Sequence, residues 1–310
     1  FLSKIFLNYW NPNIAIFLES EIWPSMYKEI KSNKIPLILL NARITRKTFK
    51  RWIKYKYYSS KIFNNIDIAY PQNHETKDYL KRLGVNKINF IGNIKFIENI
   101  NNKQDDIDNK LKSQFKKYKI CVAASTHKNE ELFAAKTHFL LKKKNKKIIT
   151  ILIPRHINRV NEIKNELRKL NLNIIYHSSK NKNLKDIDIY IVDTFGESKK
   201  FYKIATTVFL GGSIIKRGGQ NPLEPARYGA KILHGPHIDN FVEVYNFLKI
   251  LKISKKIKTP KEFANNITFK KNMLNVKKIK KTGDVIFKNT IKELNKTINY
   301  ETKKTPILGL

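Results

Sequence analysis

Residues 209–241 read FLGGSIIKRGGQNPLEPARYGAKILHGPHIDNF, and the fold is decided here. An apolar run over 206–210 has strand length, and Gly211-Gly212 ends it where a parallel strand would hand over to its loop. A Gly-rich segment follows, then a short helix, a second apolar run at 231–233 and the Gly235-Pro236 turn. The spacing predicts a helix capped by Asn221, with Pro222 at the first position, where its fixed φ helps, and Leu223 and Glu224 next; Glu224 would close a capping box. Gly211 and Gly212, followed by Ser213, let backbone N–H groups approach a ligand at the carboxyl end of a parallel strand, where open α/β sheets bind substrates. A well-capped core helix and a ligand-binding turn both fit these residues.

The alternation of strand-length apolar runs with helical patterns extends in both directions, which argues for βα units and parallel sheets. Toward the amino terminus, 14–18, 36–40, 66–70 and 88–91 read as strands, with helices at 24–32, 46–58 and 74–83, the last stopped by Gly84. Segments 119–124, 147–153, 173–176 and 188–192 read as further strands, separated by helices such as 130–143, 158–170 and 241–251. The polar stretch 98–108, rich in Asn and Asp, marks a linker. The expected division is a first domain at 1–97, a linker at 98–117, a second Rossmann-like domain at 118–259 and a basic helical tail at 260–310, poorly patterned from 289. A chain of 310 residues suffices for two such domains.

With 62 Lys and Arg against 25 Asp and Glu, the net charge is +37, which suits nucleic acid, an anionic membrane or a phosphorylated substrate. Lys, Asn and Ile crowd the chain together, so a compositional bias spread over solvated faces accounts for the same charge. A nucleic-acid partner is not expected, because the basic residues are dispersed and form no basic-aromatic platform or recognition helix. The single cysteine, Cys121, lies in an apolar run, which excludes internal disulfides and suits a buried inert thiol. The histidines show no metal spacing, so no metal and no cofactor is expected. No apolar run approaches the ~20 residues of a spanning helix, and no signal peptide is visible. In 46–58, Lys47, Lys50, Arg51 and Lys54 share one helical face and Phe49, Trp52 and Ile53 the opposite one. That pattern serves either core packing or an anionic headgroup surface.

Residues able to do chemistry gather where strands end. Leu18-Glu19-Ser20-Glu21-Ile22-Trp23-Pro24 places two carboxylates before a helix, and Arg43 follows the next strand with a fork suited to carboxylate or phosphate. Lys95 lies in Gly92-Asn93-Ile94-Lys95-Phe96. Ser125 and Thr126 precede a helix beginning at Glu130 and Glu131, either as caps or as an anion site. Arg155 and His156 follow Pro154, and Phe195, Gly196 and Glu197 form a turn after Asp193.

These segments, and above all 209–241, resemble the 3-deoxy-D-manno-octulosonic acid (Kdo) transferases, GT-B enzymes that glycosylate lipid A precursors; the likeness covers about residues 12–246. The resemblance implies an α/β GT-B fold, with two Rossmann-like domains facing a cleft and the first domain truncated. It implies inverting transfer of Kdo from the donor CMP-Kdo to a lipid A precursor, in lipopolysaccharide synthesis at the cytoplasmic face of a Gram-negative inner membrane. Either Glu19 or Glu21, with Lys95, would stabilise the transition state, and Arg43 would hold the acceptor. Ser125, Thr126, Arg155, His156, Phe195, Gly196, Glu197, Gly212, Ser213, Asn221, Pro222, Leu223 and Glu224 would bind CMP, Glu224 through the ribose. Phe195 stands where Met is usual, and Gln220 where His is more common. The family's general-base Glu lies in a motif with no counterpart here, so the expectation is a base upstream of Phe1 and an inactive fragment. Another GT-B transferase using a UDP-sugar keeps the same fold and phosphate contacts, but has no need of this particular motif combination.

Overall fold

The computed structural model describes residues 2–97 and 106–304, with side chains to residue 297. The chain divides into two units, 1–98 with 280–310 and 99–279.

In the first unit, Ala15–Leu18 (β1), Leu37–Ala42 (β2) and Ile68–Pro71 (β3) form a parallel sheet in the order β1-β2-β3. Every residue of β2 is buried, as expected for a strand covered on both faces. Helices Pro24–Ser32 and His74–Leu83 stand where the sequence places them, the latter ended by Gly84 in the left-handed region at φ 105°. The strand expected at 88–91 does not form beyond a single bridge between Ala69 and Ile88. Ala69 exchanges hydrogen bonds with Lys87 and Asn89, but the next donor position on β3 is Pro71, which has no N–H, so the ladder stops. The helix expected over 46–58 is two, Arg46–Lys54 and Lys56–Phe63, broken at Tyr55. The break lets Phe49 and Phe63 enter one core, where Trp52 meets Phe63 edge-on at 5.4 Å and Ile53 packs alongside. Core packing therefore claims the apolar stripe, while Lys47, Lys50, Arg51 and Lys54 remain exposed, joined by exposed Tyr55, Tyr57 and Tyr58.

The second unit is a seven-stranded parallel sheet of Lys119–Thr126 (β4), Ile148–Pro154 (β5), Ile174–Tyr176 (β6), Ile189–Ile191 (β7), Thr207–Leu210 (β8), Lys231–His234 (β9) and Ser254–Lys256 (β10), in the order β10-β9-β8-β4-β5-β7-β6. β10 has no apolar signature, since Lys255 and Lys256 are exposed, and only its pairing with β9 makes it a strand. Part of the expected linker is structured. Asp108 caps helix Asn109–Phe115 by accepting from Leu111 N–H at 3.1 Å, and buried Phe115 packs on Tyr190 with ring centroids 5.2 Å apart. Residues 98–105 of that stretch lie outside the described residues.

Cys121 is buried, and burial pushes its thiol up to about 12, as befits an inert core residue. The tail is more regular than its pattern suggests. Thr259 caps Pro260–Asn266, and Met273–Lys304 is one helix whose residues from Lys280 belong to the first unit, burying Ile286 and Thr290. No helix among the described residues is long and apolar enough to cross a membrane.

Candidate active site

The chain leaves β4 toward β5 on one side of the sheet, whereas β8, on the other side of β4, leads away to β9. The loops after β4 and β8 therefore diverge, making the switch point at which open parallel sheets bind ligands. Gly211 N–H donates to Ala124 O at 2.8 Å there. A Cβ on Gly211 would stand 2.4 Å from Ser125 O, so only glycine fits.

Glu130 governs this junction. Its fully buried carboxylate accepts from the N–H groups of His127 at 3.1 Å, Gly212 at 2.7 Å, Ser213 at 3.1 Å and Ile214 at 3.0 Å. The Gly212 and Ser213 amides, expected to face a ligand, are thus already occupied. Beside Glu130, buried Glu131 pairs with Arg159 at 3.0 Å, and burial raises its carboxyl above the usual range despite that partner. Thr126 is buried next to it, and Ser125 sits at φ 53° in a bulge of β4.

The cationic side chains lie above these elements. Arg155, held by its N–H to Thr126 O at 3.0 Å, and Arg217 are both exposed, and neither makes an ion pair with a described residue. The His127 and His156 rings meet edge-to-face at 5.7 Å. Burial, then the charges of His156, Arg217, Arg159 and Arg155, hold His127 below its ordinary value. Its Nε2 is buried and has no hydrogen-bond partner among the described residues.

Asn221 accepts from Leu223 N–H at 3.1 Å, but the helix has Pro222 at its N-cap with no side-chain cap and Glu224 makes no reciprocal bond, so the expected capping box does not form. The helix is only Leu223–Ala226, and Pro222 and Leu223 are buried. Glu224, half-buried, has no hydrogen bond or ion pair with a described residue. After β7, Phe195 is 87% exposed, Gly196 lies at φ 84°, and Glu197 pairs with Lys200 at 2.8 Å.

In the first unit the strand ends converge as well. Glu19, at φ 56°, accepts from Arg43 N–H through its carbonyl at 3.0 Å and pairs with Lys95 Nζ through its carboxylate at 2.8 Å. Buried Asn41 accepts from Ile94 N–H at 3.1 Å, and Asn93 accepts from Lys95 N–H at 3.0 Å, which fixes the Lys95 turn against β2. Glu21 is occupied locally by the Trp23 indole N–H at 2.8 Å. The structure thus groups Glu19, Arg43 and Lys95 and leaves Glu21 aside. Sequence reasoning missed Glu130 as an anchor and His127, Arg159 and Arg217 as neighbours; Arg217 lay inside 209–241 but was hidden by the abundance of basic residues.

Among the described residues no group of His, Cys, Asp and Glu gathers as a metal site. Two parallel α/β units with polar and cationic residues at their strand ends give this chain the GT-B glycosyltransferase fold. A crystal structure of a glycosyltransferase from Rickettsia africae shares that fold at TM-score 0.53 and 17% identity, covering 97% of this chain and 79% of the other. The family profile described as 3-deoxy-D-manno-octulosonic-acid transferase (kdotransferase) matches residues 1–98. The 3-deoxy-D-manno-octulosonic acid transferase of Rickettsia felis is 32% identical over 97% of this chain and 65% of its own length. That of Haemophilus influenzae is 30% identical over 78% and 58%. The chain is similar to the Kdo transferases over most of its length and spans somewhat under two thirds of the length of these relatives.

Proposed function

We propose that the protein transfers Kdo from CMP-Kdo to a hydroxyl of a lipid A precursor, with inversion, at the cytoplasmic face of the inner membrane. The observation that carries the donor side is the switch point of the second unit, where the cations Arg155 and Arg217, which make no ion pair with a described residue, share the carboxyl end of the sheet with a Glu224 carboxylate that has no hydrogen bond or ion pair with a described residue. Cations suit a nucleotide phosphate, and an unpartnered carboxylate suits two ribose hydroxyls. As CMP departs, positive charge grows on the sugar and negative charge on phosphate; fixed cations already in place stabilise that change without reorganisation. The Glu19–Lys95 pair gives the first unit one group of each sign for the same task, and Arg43 beside it suits an anionic acceptor.

Calorimetry on the chain tests the donor class. CMP is expected to bind more tightly than UDP; equal or tighter binding of UDP would overturn the reading in favour of a UDP-sugar transferase. For the acceptor side, the exposed Lys47, Lys50, Arg51 and Lys54 face and the neighbouring Tyr55, Tyr57 and Tyr58 suit an anionic lipid surface. The chain is expected to co-sediment with vesicles containing anionic phospholipid and not with purely zwitterionic ones, and to be released by salt. Indifference to vesicle charge would remove the membrane partner.

A further inference from the structure

The Gly-rich loop after β8 has the form of a backbone anion nest, and its anion is already built in. Glu130 is fully buried, and its two carboxylate oxygens take the N–H groups of Gly212, Ser213 and Ile214 together with that of His127. A second anion directed at the same amides would meet this carboxylate at contact distance. Like charges in such a site repel strongly.

The loop beyond the nest is closed on itself. Gly219 N–H donates to Gly212 O at 2.8 Å, Arg217 N–H donates to Ile215 O at 2.8 Å, and Asn240 Nδ2 donates to Arg217 O at 3.2 Å. Glu130 fixes one end of this loop and the Gly212–Gly219 bond fixes the other, so the position of Arg217 follows from Glu130. A Cβ built on Gly212 would stand 3.4 Å from Arg217 Cβ and 3.5 Å from His127 Cδ2, which places Arg217 and His127 side by side over the loop. Next to them are His156, 5.7 Å from His127 by ring centroids, and Arg155 on the adjoining strand end. The nearby carboxylates are engaged elsewhere: Glu130 by amides, and Glu131 and Glu162 by Arg159 and Lys128. Cations crowded without a counter-ion are destabilising, and a bound anion relieves that repulsion.

We propose that Glu130 is a positioning residue that permanently occupies the loop amides, and that the donor's phosphate is bound instead by the side chains of Arg155 and Arg217 above the His127–His156 pair. This deepens the CMP-donor reading and rests on it. It assigns a binding role to Arg217 and removes one from the Gly212 and Ser213 backbone.

The test compares CMP with cytidine, which lacks the phosphate, by calorimetry on the full chain, with thermal melting as the folding control. Arg217→Ala, an exposed and unpaired side chain, should leave the melting temperature unchanged, lower CMP affinity by roughly 10–100-fold, the scale of a charge-assisted contact, and leave cytidine binding unaltered. Glu130→Gln should lower both the melting temperature and the CMP-to-cytidine affinity ratio, because the loop carrying Arg217 loses its anchor. An unchanged ratio in Arg217→Ala overturns the phosphate assignment, and that variant decides the matter even if Glu130→Gln does not fold. A lower melting temperature with an unchanged ratio in Glu130→Gln would reduce Glu130 to a structural group, and tighter CMP binding would show that the amides are the phosphate site. Failure of the wild-type chain to bind CMP sinks the donor reading and this inference with it, whereas wild-type binding with indifferent variants sinks the inference alone.

Discussion

Glu224 and Glu130 are two carboxylates at one sheet end with opposite circumstances. Glu130 is saturated with backbone donors, and Glu224 makes no hydrogen bond or ion pair with a described residue. Replacing Glu224 by Gln removes no native hydrogen bond, so the melting temperature should hardly move. Losing a charged acceptor for ribose hydroxyls should weaken CMP by about 1.5–3 kcal/mol. A fall in melting temperature without a change in CMP affinity would make Glu224 a structural residue. The same contrast shows what was legible at this scale: Glu224 was readable from its motif, whereas the Glu130 role depends on a loop more than eighty positions away.

At the scale of elements, strand positions were read from apolar runs to within a few residues, and the misses have local causes. Pro71 ends a ladder that the apolar run 88–91 would otherwise have continued, and β10 exists only because β9 offers an edge. The stretch 109–115 looked like linker because its composition is polar, yet two of its residues reach the core. Phe115→Ala should therefore destabilise the second unit by about 3–5 kcal/mol, the usual cost of deleting a buried aromatic ring. A loss below 1 kcal/mol in a denaturant titration would return the segment to linker status.

For the whole molecule, charge is the dominant global property. A net +37 repels itself, so the melting temperature should rise between low salt and about 0.15 M, where screening becomes effective within ~8 Å. Acid acts through a specific buried group. Burial raises the Asp188 carboxyl, but hydrogen bonds from His138, Lys142 and the Asn173 N–H outweigh it and hold it below its ordinary 3.8. Because the folded value is the lower one, its contribution is complete above the ordinary value and is lost as pH falls below about 4. Asp188→Asn should cost about 3 kcal/mol at neutral pH and flatten that acid decline; an unchanged decline would place the acid sensitivity elsewhere.

The sequence by itself determined the parallel α/β class, most strand and helix positions, and the motifs at the strand ends, since these follow from local periodicity, glycine and proline geometry and short-range capping. Only the tertiary structure decided that Glu19 rather than Glu21 pairs with Lys95, that the stripe of Phe49, Trp52 and Ile53 is core, and that a carboxylate of this chain fills the glycine loop. Each of those outcomes joins residues distant in sequence or sets one buried face against another. Composition and periodicity specify which side chains can be buried or charged, and packing specifies which of them meet.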